Sequence, residues 1–458
     1  MLLVSYPDQS SNEWLSIWKD TLAGLGFPVS GDLFTGQANG LVVNPESVHP
    51  ITGQRSYAQN SYLTPALGRN NLSILTEAVV DKIIFKDSTS TEVVVDGVQY
   101  IKDGHTKIIN AQEVVLAAGA INSPMLLERS GIGSAELLRN LGISTIVDNP
   151  NVGENLQDHI IVSVSSEVKD NLKTMDPLRR HDPAAIAAAK EAYKRQSGPW
   201  STGGTSVTAQ LPFPDIHTDK GKEELEQILT NNLDAKVNGG RHTTSTFDQA
   251  HKEFVRSMVS SPNEASGCYI TFPGWKAFNP DGSIVSEPEE NNYFSIILLN
   301  THTLSRGSTH ITSASALSPG AVAVDPGYLS HPLDLELFAR NLRFLETVLA
   351  SEPLLSQLKL GGKRNPSAPP VGGFTKLDTA RDYVRSTGLA GTHFVGSCSM
   401  MPREMGGVVD PQLRVYEVKN LRVCDACIIP LIPRANPQAT IYGVAEHGAY
   451  IIKSGLKT

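Results

Sequence analysis

The stretch Glu113–Gly133, EVVLAAGAINSPMLLERSGIG, decides the fold class of this 458-residue chain. Val114 to Ala118 read as a short buried strand, and Gly119 to Ser123 as a turn of small residues at its end. Pro124 stands where a helix would open, a first-turn position at which its missing N–H costs nothing. Met125, Leu126 and Leu127 give that helix its apolar face. A strand passing through small residues into a helix is an α/β unit. Small residues let a ligand approach the backbone closely, and a helix N-terminus beside them suits a phosphate or an electron-rich ring edge. From these residues alone, a tight strand–helix turn with no ligand is the plainer reading.

The α/β texture extends from about 56 to 160. NLSILTEAVVDKIIF (Asn71–Phe85) reads as a strand pair, SAELLRNLG (Ser134–Gly142) as a helix and ISTIVD (Ile143–Asp148) as a strand. Apolar runs bounded by glycine suit strands covered on both faces. From about 161 to 385 the pattern loosens. Charged helices (AAIAAAKEAYKR, KGKEELEQILTNNL, HPLDLELFARNLRFLETVLA) alternate there with the strand-like pieces CYITFP, NYFSIILLN and STHITSASA. That mixture predicts an antiparallel sheet with helices on one side. Residues 1 to about 55 begin with an amphipathic helix, NEWLSIWKDTLAGLGF (Asn12–Phe27), ended by glycine and proline. The last zone, 386–458, returns to glycine-rich α/β texture and closes on a helix at ATIYGVAEHGAYIIKSG. The alternation predicts two interleaved domains, an α/β one from 56–160 and 386–458 and an α+β one from 1–55 and 161–385.

The bulk numbers exclude several classes. A content of 40% hydrophobic and 19% charged residues is that of an ordinary globular protein. The net charge of −8 argues against a nucleic-acid partner, which needs a basic face. No apolar run approaches the roughly 18–20 residues that span a bilayer. The N-terminus MLLVSYPDQSSNEW has no basic region ahead of its short apolar run, so it does not read as a signal peptide. Four cysteines are too few for a disulfide framework. Cys424 and Cys427 form a C-x-x-C, but RVCDACIIP reads as a buried strand and offers no second metal-ligand pair. Asn71-Leu72-Ser73 is a single glycosylation sequon.

Chemistry concentrates in the run Thr392–Thr440, THFVGSCSMMPREMGGVVDPQLRVYEVKNLRVCDACIIPLIPRANPQAT. A histidine (His393), a VVD turn, the strand-like LRVCDA and an asparagine (Asn436) after IIP follow in that order. The arrangement suggests an imidazole and an amide brought together over something the rest of the chain binds.

GAINSPMLLERSGIG resembles the second signature of the glucose-methanol-choline (GMC) family of FAD-dependent oxidoreductases. GQRSYAQNSYLTPALGRNNLSILTEAVVDKI resembles the family segment leading to the strand at the adenosine end of the flavin. NVGENLQDH (Asn151–His159) resembles its characteristic loop, TLSRGSTHITS and DPGYLSHPLD its substrate-domain sheet, and Thr392–Thr440 its catalytic block. SCSMMPREMGGVVD is especially similar to the glucose oxidase branch. The resemblance implies a GMC-type FAD-binding domain interleaved with an antiparallel-sheet substrate domain.

What the resemblance implies for single residues is as follows. His393 matches the active-site histidine over the flavin N5 edge, which accepts or holds the substrate hydroxyl proton as hydride leaves. Asn436 matches a second position, histidine in some members and asparagine in others. An amide can orient the substrate oxygen but cannot act as a base near neutral pH, so His393 carries the acid–base work. Val80 matches the residue whose backbone meets the adenine end of FAD. Asp425 and Ala426 match the pair beside the ribityl-phosphate region, and Pro437 and Gln438 the stretch under the pyrimidine edge. His302, His310 and His447 show no partner pattern and read as surface or core residues.

One departure stands out. The family resemblance would include an N-terminal βαβ unit with G-x-G-x-x-G that seats the pyrophosphate, and this sequence has none. The implied segment, roughly 150–190 residues upstream of Met1, is expected to be absent through a truncated reading of the gene, a genuine fragment or splice product, or degeneration of a paralogue. It is also the part that would hold any signal peptide. The implied activity is FAD-linked oxidation of a small-molecule alcohol, in a fungal secondary pathway. The alternatives are a cyclising dehydration without net redox, as in versicolorin B synthase, and a non-catalytic remnant. Trp200, Tyr269, Phe272, Trp275 and Phe278 would suit an aromatic or polyketide-like alcohol ahead of a sugar, or could equally be core.

Overall fold

A computed structural model describes residues 2–6, 13–29, 36, 39–86, 92–202, 207–235, 245–279, 281–287, 291–318 and 320–455. Its largest element is a six-stranded sheet in which neighbouring strands run antiparallel. The order is Gly40–Val43, Val207–Leu211, Gly267–Phe272, Tyr293–Asn300, Ile160–Glu167 and Leu389–Ala390. Every residue of the central strand YFSIILLN is buried, as a strand with neighbours on both edges and cover on both faces requires. Alternate residues Phe294, Ile296 and Leu298 enter a large apolar core with Val162, Val164 and Tyr269. Three helices cover that face, Glu13–Gly24, Pro332–Leu349 and Leu377–Thr387, through Trp14, Trp18, Phe338, Leu342, Leu345 and Val384. The opposite face carries the Ser165 and Ser295 hydroxyls, 2.7 Å apart, beside Tyr293 packed on Trp275. The helix at NEWLSIWKDTLAGLGF begins at Glu13; Asn12 lies outside the described residues.

A second core forms around a parallel pair, Val114–Leu116 with Leu421–Val423. Beside it Val418–Lys419 runs parallel to the strand Val93–Lys102, which pairs antiparallel with Val79–Phe85 and His105–Asn110. Asp103 and Gly104, at φ 53° and 73°, turn the second of these hairpins. Two successive left-handed residues match the right-handed twist of the strands, and glycine adopts that conformation without a Cβ penalty. The helix Gln438–Gly455 packs Val444 and Ile451 on this core and leaves Tyr450 exposed. It crosses Cys424 at Gly448, where an added Cβ would sit 2.5 Å from the Cys424 sulfur.

Several local expectations are corrected. Val79–Phe85 is a strand, but residues 71–78 are not, and Leu72, Ile74 and Leu75 stay exposed because the described residues offer no strand to pair with them. Only Val147–Asp148 of ISTIVD is a strand. Val115, Ile108 and Ile109 are exposed on strands that are not covered on both faces. The helix read as opening at Pro124 begins at Gly119, so the proline lies inside it. A proline nitrogen cannot donate to the carbonyl four residues back. The carbonyl so released, Ala120, accepts instead from the Ser397 hydroxyl at 2.5 Å. Tyr269 and Trp275 are core residues with no exposure, while Trp200 is exposed.

Candidate active site

The site begins at the edge of the six-stranded sheet. Ala390 pairs with Ile160, and the Gly391 amide donates to the His159 carbonyl at 2.7 Å. The residue before one strand and those after the other are thereby set side by side, which places His159 against His393. A Cβ on Gly391 would come within 2.7 Å of the His159 oxygen, so the close approach depends on glycine.

Thr392 follows at φ 59°, an unfavourable conformation for a β-branched residue, which points to a turn held by its surroundings. The holder is Asp158. Its carboxylate accepts from the Thr392 amide at 3.2 Å, from the His393 amide at 2.5 Å and from the Tyr328 hydroxyl. Burial raises the Asp158 pKa, and these donors pull it back.

The His393 ring is half-buried. Its Nδ1 lies 3.0 Å from Nδ1 of His159, the two rings standing nearly perpendicular at 89°. Its Nε2 lies 2.9 Å from the Asn436 side-chain nitrogen, and Asn436 is exposed. Burial lowers the His393 pKa, with Asp158 opposing, so the ring is neutral at pH 7. Burial, then the neighbouring imidazoles of His393 and His302, push His159 down to about 3.

Behind this pair the loop Asn151–His159 ties three distant segments together. Gln157 exchanges backbone hydrogen bonds with Val395. Its side chain donates to the Pro430 carbonyl at 2.9 Å and accepts from the Ile432 amide at 2.9 Å. Asn155 donates to the Ser399 hydroxyl at 2.8 Å and accepts from the buried Arg306 guanidinium at 2.8 Å. Glu154 meets His310, whose other nitrogen lies 2.7 Å from Glu128, a carboxylate with no exposure. Burial opposes a charge on His310, but its hydrogen bonds to Glu128 and Glu154 outweigh it and raise the pKa to about 9. His310, expected to be a bystander, is an ion-paired bridge.

The structure brings His393 and Asn436 together as the motif order suggests. Pro437 is buried, and Gln438 opens the helix Gln438–Gly455 while accepting from the Ser47 hydroxyl at 3.0 Å. Asp425 sits just past the strand Leu421–Val423. Its carboxylate accepts from the Gly119 amide at 2.9 Å, the Ser123 hydroxyl at 2.5 Å and the Cys427 amide at 2.8 Å. The helix N-terminus that the sequence offers to a phosphate is therefore capped by this side chain. Ala426 packs beside Val395, Ile429 and Ile432. Val80 lies elsewhere, on Val79–Phe85, paired with Tyr100. Cys427 is buried; Cys424 is half-buried and faces the Gln438–Gly455 helix. Among the described residues no group of histidine, cysteine or carboxylate side chains is arranged to hold a metal ion, and no helix is long and apolar enough to cross a membrane.

His159 and Asp158 went unassigned in the sequence, although both stand in the quoted loop NVGENLQDH. Neither carries a signal of its own there, since the role of each lies in what it touches.

Two family models, both described as GMC oxidoreductase, match residues 8–161 and 303–445. The chain is 32% identical to dehydrogenase mpl7 of Monascus purpureus over 412 residues, covering 88% of this chain and 64% of that protein. It is 30% identical to versicolorin B synthase stcN of Emericella nidulans, over 99% of this chain and 63% of that protein. It thus spans somewhat less than two thirds of the length of these relatives. Among solved structures, an FAD-dependent oxidoreductase from Chaetomium thermophilum superimposes with a TM-score of 0.86 at 24% identity, over 100% of this chain and 74% of the other. A fungal aryl-alcohol oxidase gives 0.81 at 24% identity, over 99% and 73%. These two show the same mixed fold.

Proposed function

Because this chain belongs to the GMC oxidoreductase family, we propose that it serves FAD-dependent oxidation of a CH–OH donor, with His393 taking the hydroxyl proton. The observation that carries the reading is the paired placement of His393 and Asn436 at a half-open surface. The imidazole is neutral there, and its Nε2 points to the same side as the amide. A general base must be within hydrogen-bond reach of the proton it takes and must be unprotonated when it acts. His393 meets the second condition by burial. Asn436, which cannot take a proton, orients the substrate oxygen.

The residues around this surface fit one end of FAD. The first intrahelical bond of the Gln438–Gly455 helix runs from Ile441 to Pro437. The amides of Gln438, Ala439 and Thr440 precede it, and all three residues are exposed beside Asn436. Unused amides at the positive end of an 18-residue helix suit the electron-rich carbonyl edge of a flavin ring. Pro437 and Gln438 would lie along that edge, Asp425 and Ala426 nearer the ribityl chain, and the Val80 backbone at the adenine end. Asp425 is already committed to Gly119, Ser123 and Cys427, so its part is to hold the turn. Bound there, FAD supplies the hydride acceptor.

The test is anaerobic mixing of the FAD-loaded protein with aryl and polyketide-like alcohols. Bleaching of the flavin band near roughly 450 nm is expected, slowed at least about 100-fold in His393→Ala. A near-normal reduction rate in that variant would overturn the role. The similarity to versicolorin B synthase supports a second reading, a cyclising dehydration. Product formed while the flavin stays oxidised throughout would favour it.

A further inference from the structure

We propose that His159 is a positioning residue for this site: its Nδ1 accepts the Nδ1 proton of His393 and thereby keeps Nε2 of His393 unprotonated. The inference rests on the proton-acceptor role given to His393 above. The directions of the hydrogen bonds follow from what each atom can do. An amide nitrogen carries only hydrogens, so the Asn436 nitrogen, 2.9 Å from His393 Nε2, donates, and Nε2 accepts. A neutral imidazole then holds its one proton on Nδ1. That atom lies 3.0 Å from Nδ1 of His159, which is left to accept, so His159 carries its own proton on Nε2. Two facing ring nitrogens cannot both donate or both accept. The contact therefore couples the two tautomers.

The acceptor is fixed in place and stays uncharged. His159 has no exposure, and its carbonyl is held by the Gly391 amide at the sheet edge. Its Nε2 is buried without a hydrogen-bond partner. The groups that act on the ring electrostatically are the imidazoles of His393 and His302, and both disfavour a positive charge on it. The neighbouring carboxylate, Asp158, is turned instead to the backbone amides of Thr392 and His393. A carboxylate on His393 Nδ1 would orient the ring and also stabilise its protonated form. A neutral imidazole in the same place orients the ring while leaving its lowered basicity in place.

Histidine-selective 15N labelling of the chain tests this without any cofactor, because a ring nitrogen bearing hydrogen differs in shift from a bare one. The His393 signals are identified by their loss in His393→Gln. The expected wild-type spectrum has Nδ1 of His393 protonated and Nε2 bare, and the reverse arrangement on His159. In His159→Phe, which retains a ring but loses the acceptor, the Nδ1–H to Nε2–H ratio of His393 should fall about tenfold, the worth of one hydrogen bond. In His159→Asn, whose amide oxygen can still accept, it should return most of the way. A wild-type His393 protonated on Nε2, as would follow if the Asn436 amide presented its oxygen, overturns the proposal. So does an unchanged ratio in a folded His159→Phe. If that variant fails to fold, the wild-type spectrum decides alone. Loss of the expected flavin chemistry with these tautomers intact would instead count against His393 as base, so the two failures are distinguishable.

Discussion

Replacing His310 with glutamine should remove an alkaline stability transition from one part of the fold. His310 joins the helix Gly119–Arg129, through Glu128, to the loop Asn151–His159, through Glu154. A folded-state pKa raised from 6.5 to about 9 means that the native form binds this proton more tightly than the unfolded chain does. Its contribution is therefore complete below the unfolded value and disappears as pH rises through the folded one. A rise of this size is worth about 3 kcal/mol, of which about 2.5 kcal/mol is still present at pH 7 and almost none at pH 10. Glu128 pulls the other way, because burial raises its pKa in spite of the imidazolium beside it. The alkaline window is where the imidazolium is lost, so the comparison with His310→Gln isolates what depends on it.

Hydrogen exchange read by peptide mass is the suitable assay, since a chain of this size need not unfold in one step. The strand Ser308–Ile311 is the reporter, because the Ile311 amide donates to Glu128 at 2.8 Å. After correction for intrinsic exchange, wild-type protection there should fall on the order of 50-fold between pH 7 and 10. His310→Gln should start lower at pH 7 and show little further loss. Equal losses in the two proteins would refute the argument, because the transition would then belong to other alkaline groups.

Two further outcomes follow from packing. Ser397→Ala leaves the buried Ala120 carbonyl without its donor and should cost about 1–3 kcal/mol. In a Pro124→Ala background, where position 124 regains an amide for that carbonyl, the same change should cost distinctly less; thermal midpoints of the four proteins give the coupling, and additive losses would contradict it. Gly448→Ala places a methyl 2.5 Å from the Cys424 sulfur and 3.0 Å from a Leu413 methyl, and should lower stability by about 1–3 kcal/mol. An unchanged melting temperature would mean that the Gln438–Gly455 helix shifts freely.

Much of the architecture was legible where it depends on local pattern. The strand-like run NYFSIILLN forms a strand, and the charged segments at 183–194, 219–232 and 332–349 form helices, as their composition predicts. Misreadings occurred where a distant residue overrides the local preference. Gly119 opens a helix because the Asp425 carboxylate caps its amide, and Pro124 is tolerated inside because Ser397 takes the freed carbonyl. Neither partner is visible in a window around residue 120. Asp103-Gly104 is a hairpin signal that the sequence does carry. In the site, the order of motifs pointed to His393 and Asn436 before any geometry was known. His159, Asp158 and His310 carry no signature of their own, since their meaning is in what they touch.

Those contacts explain why a nine-residue loop, Asn151–His159, can govern a site assembled from segments more than 200 residues away in sequence. Its side chains divide the work. Asn155 and Gln157 lock the Ser399 and Pro430–Ile432 segments, Asp158 holds the strained turn at Thr392, and His159 meets the ring of His393. A network of buried polar groups of this kind is stiff, because each member left unsatisfied would carry a desolvation cost. The division also separates two properties that a single carboxylate–imidazole pair would join. Asp158, acting on the backbone, sets where His393 stands. His159, acting on the ring, sets which nitrogen faces the site. In the proposed role of His393, its basicity is governed chiefly by its burial, and a base whose position is fixed by one residue and whose tautomer is fixed by another can remain neutral and ready without being made stronger.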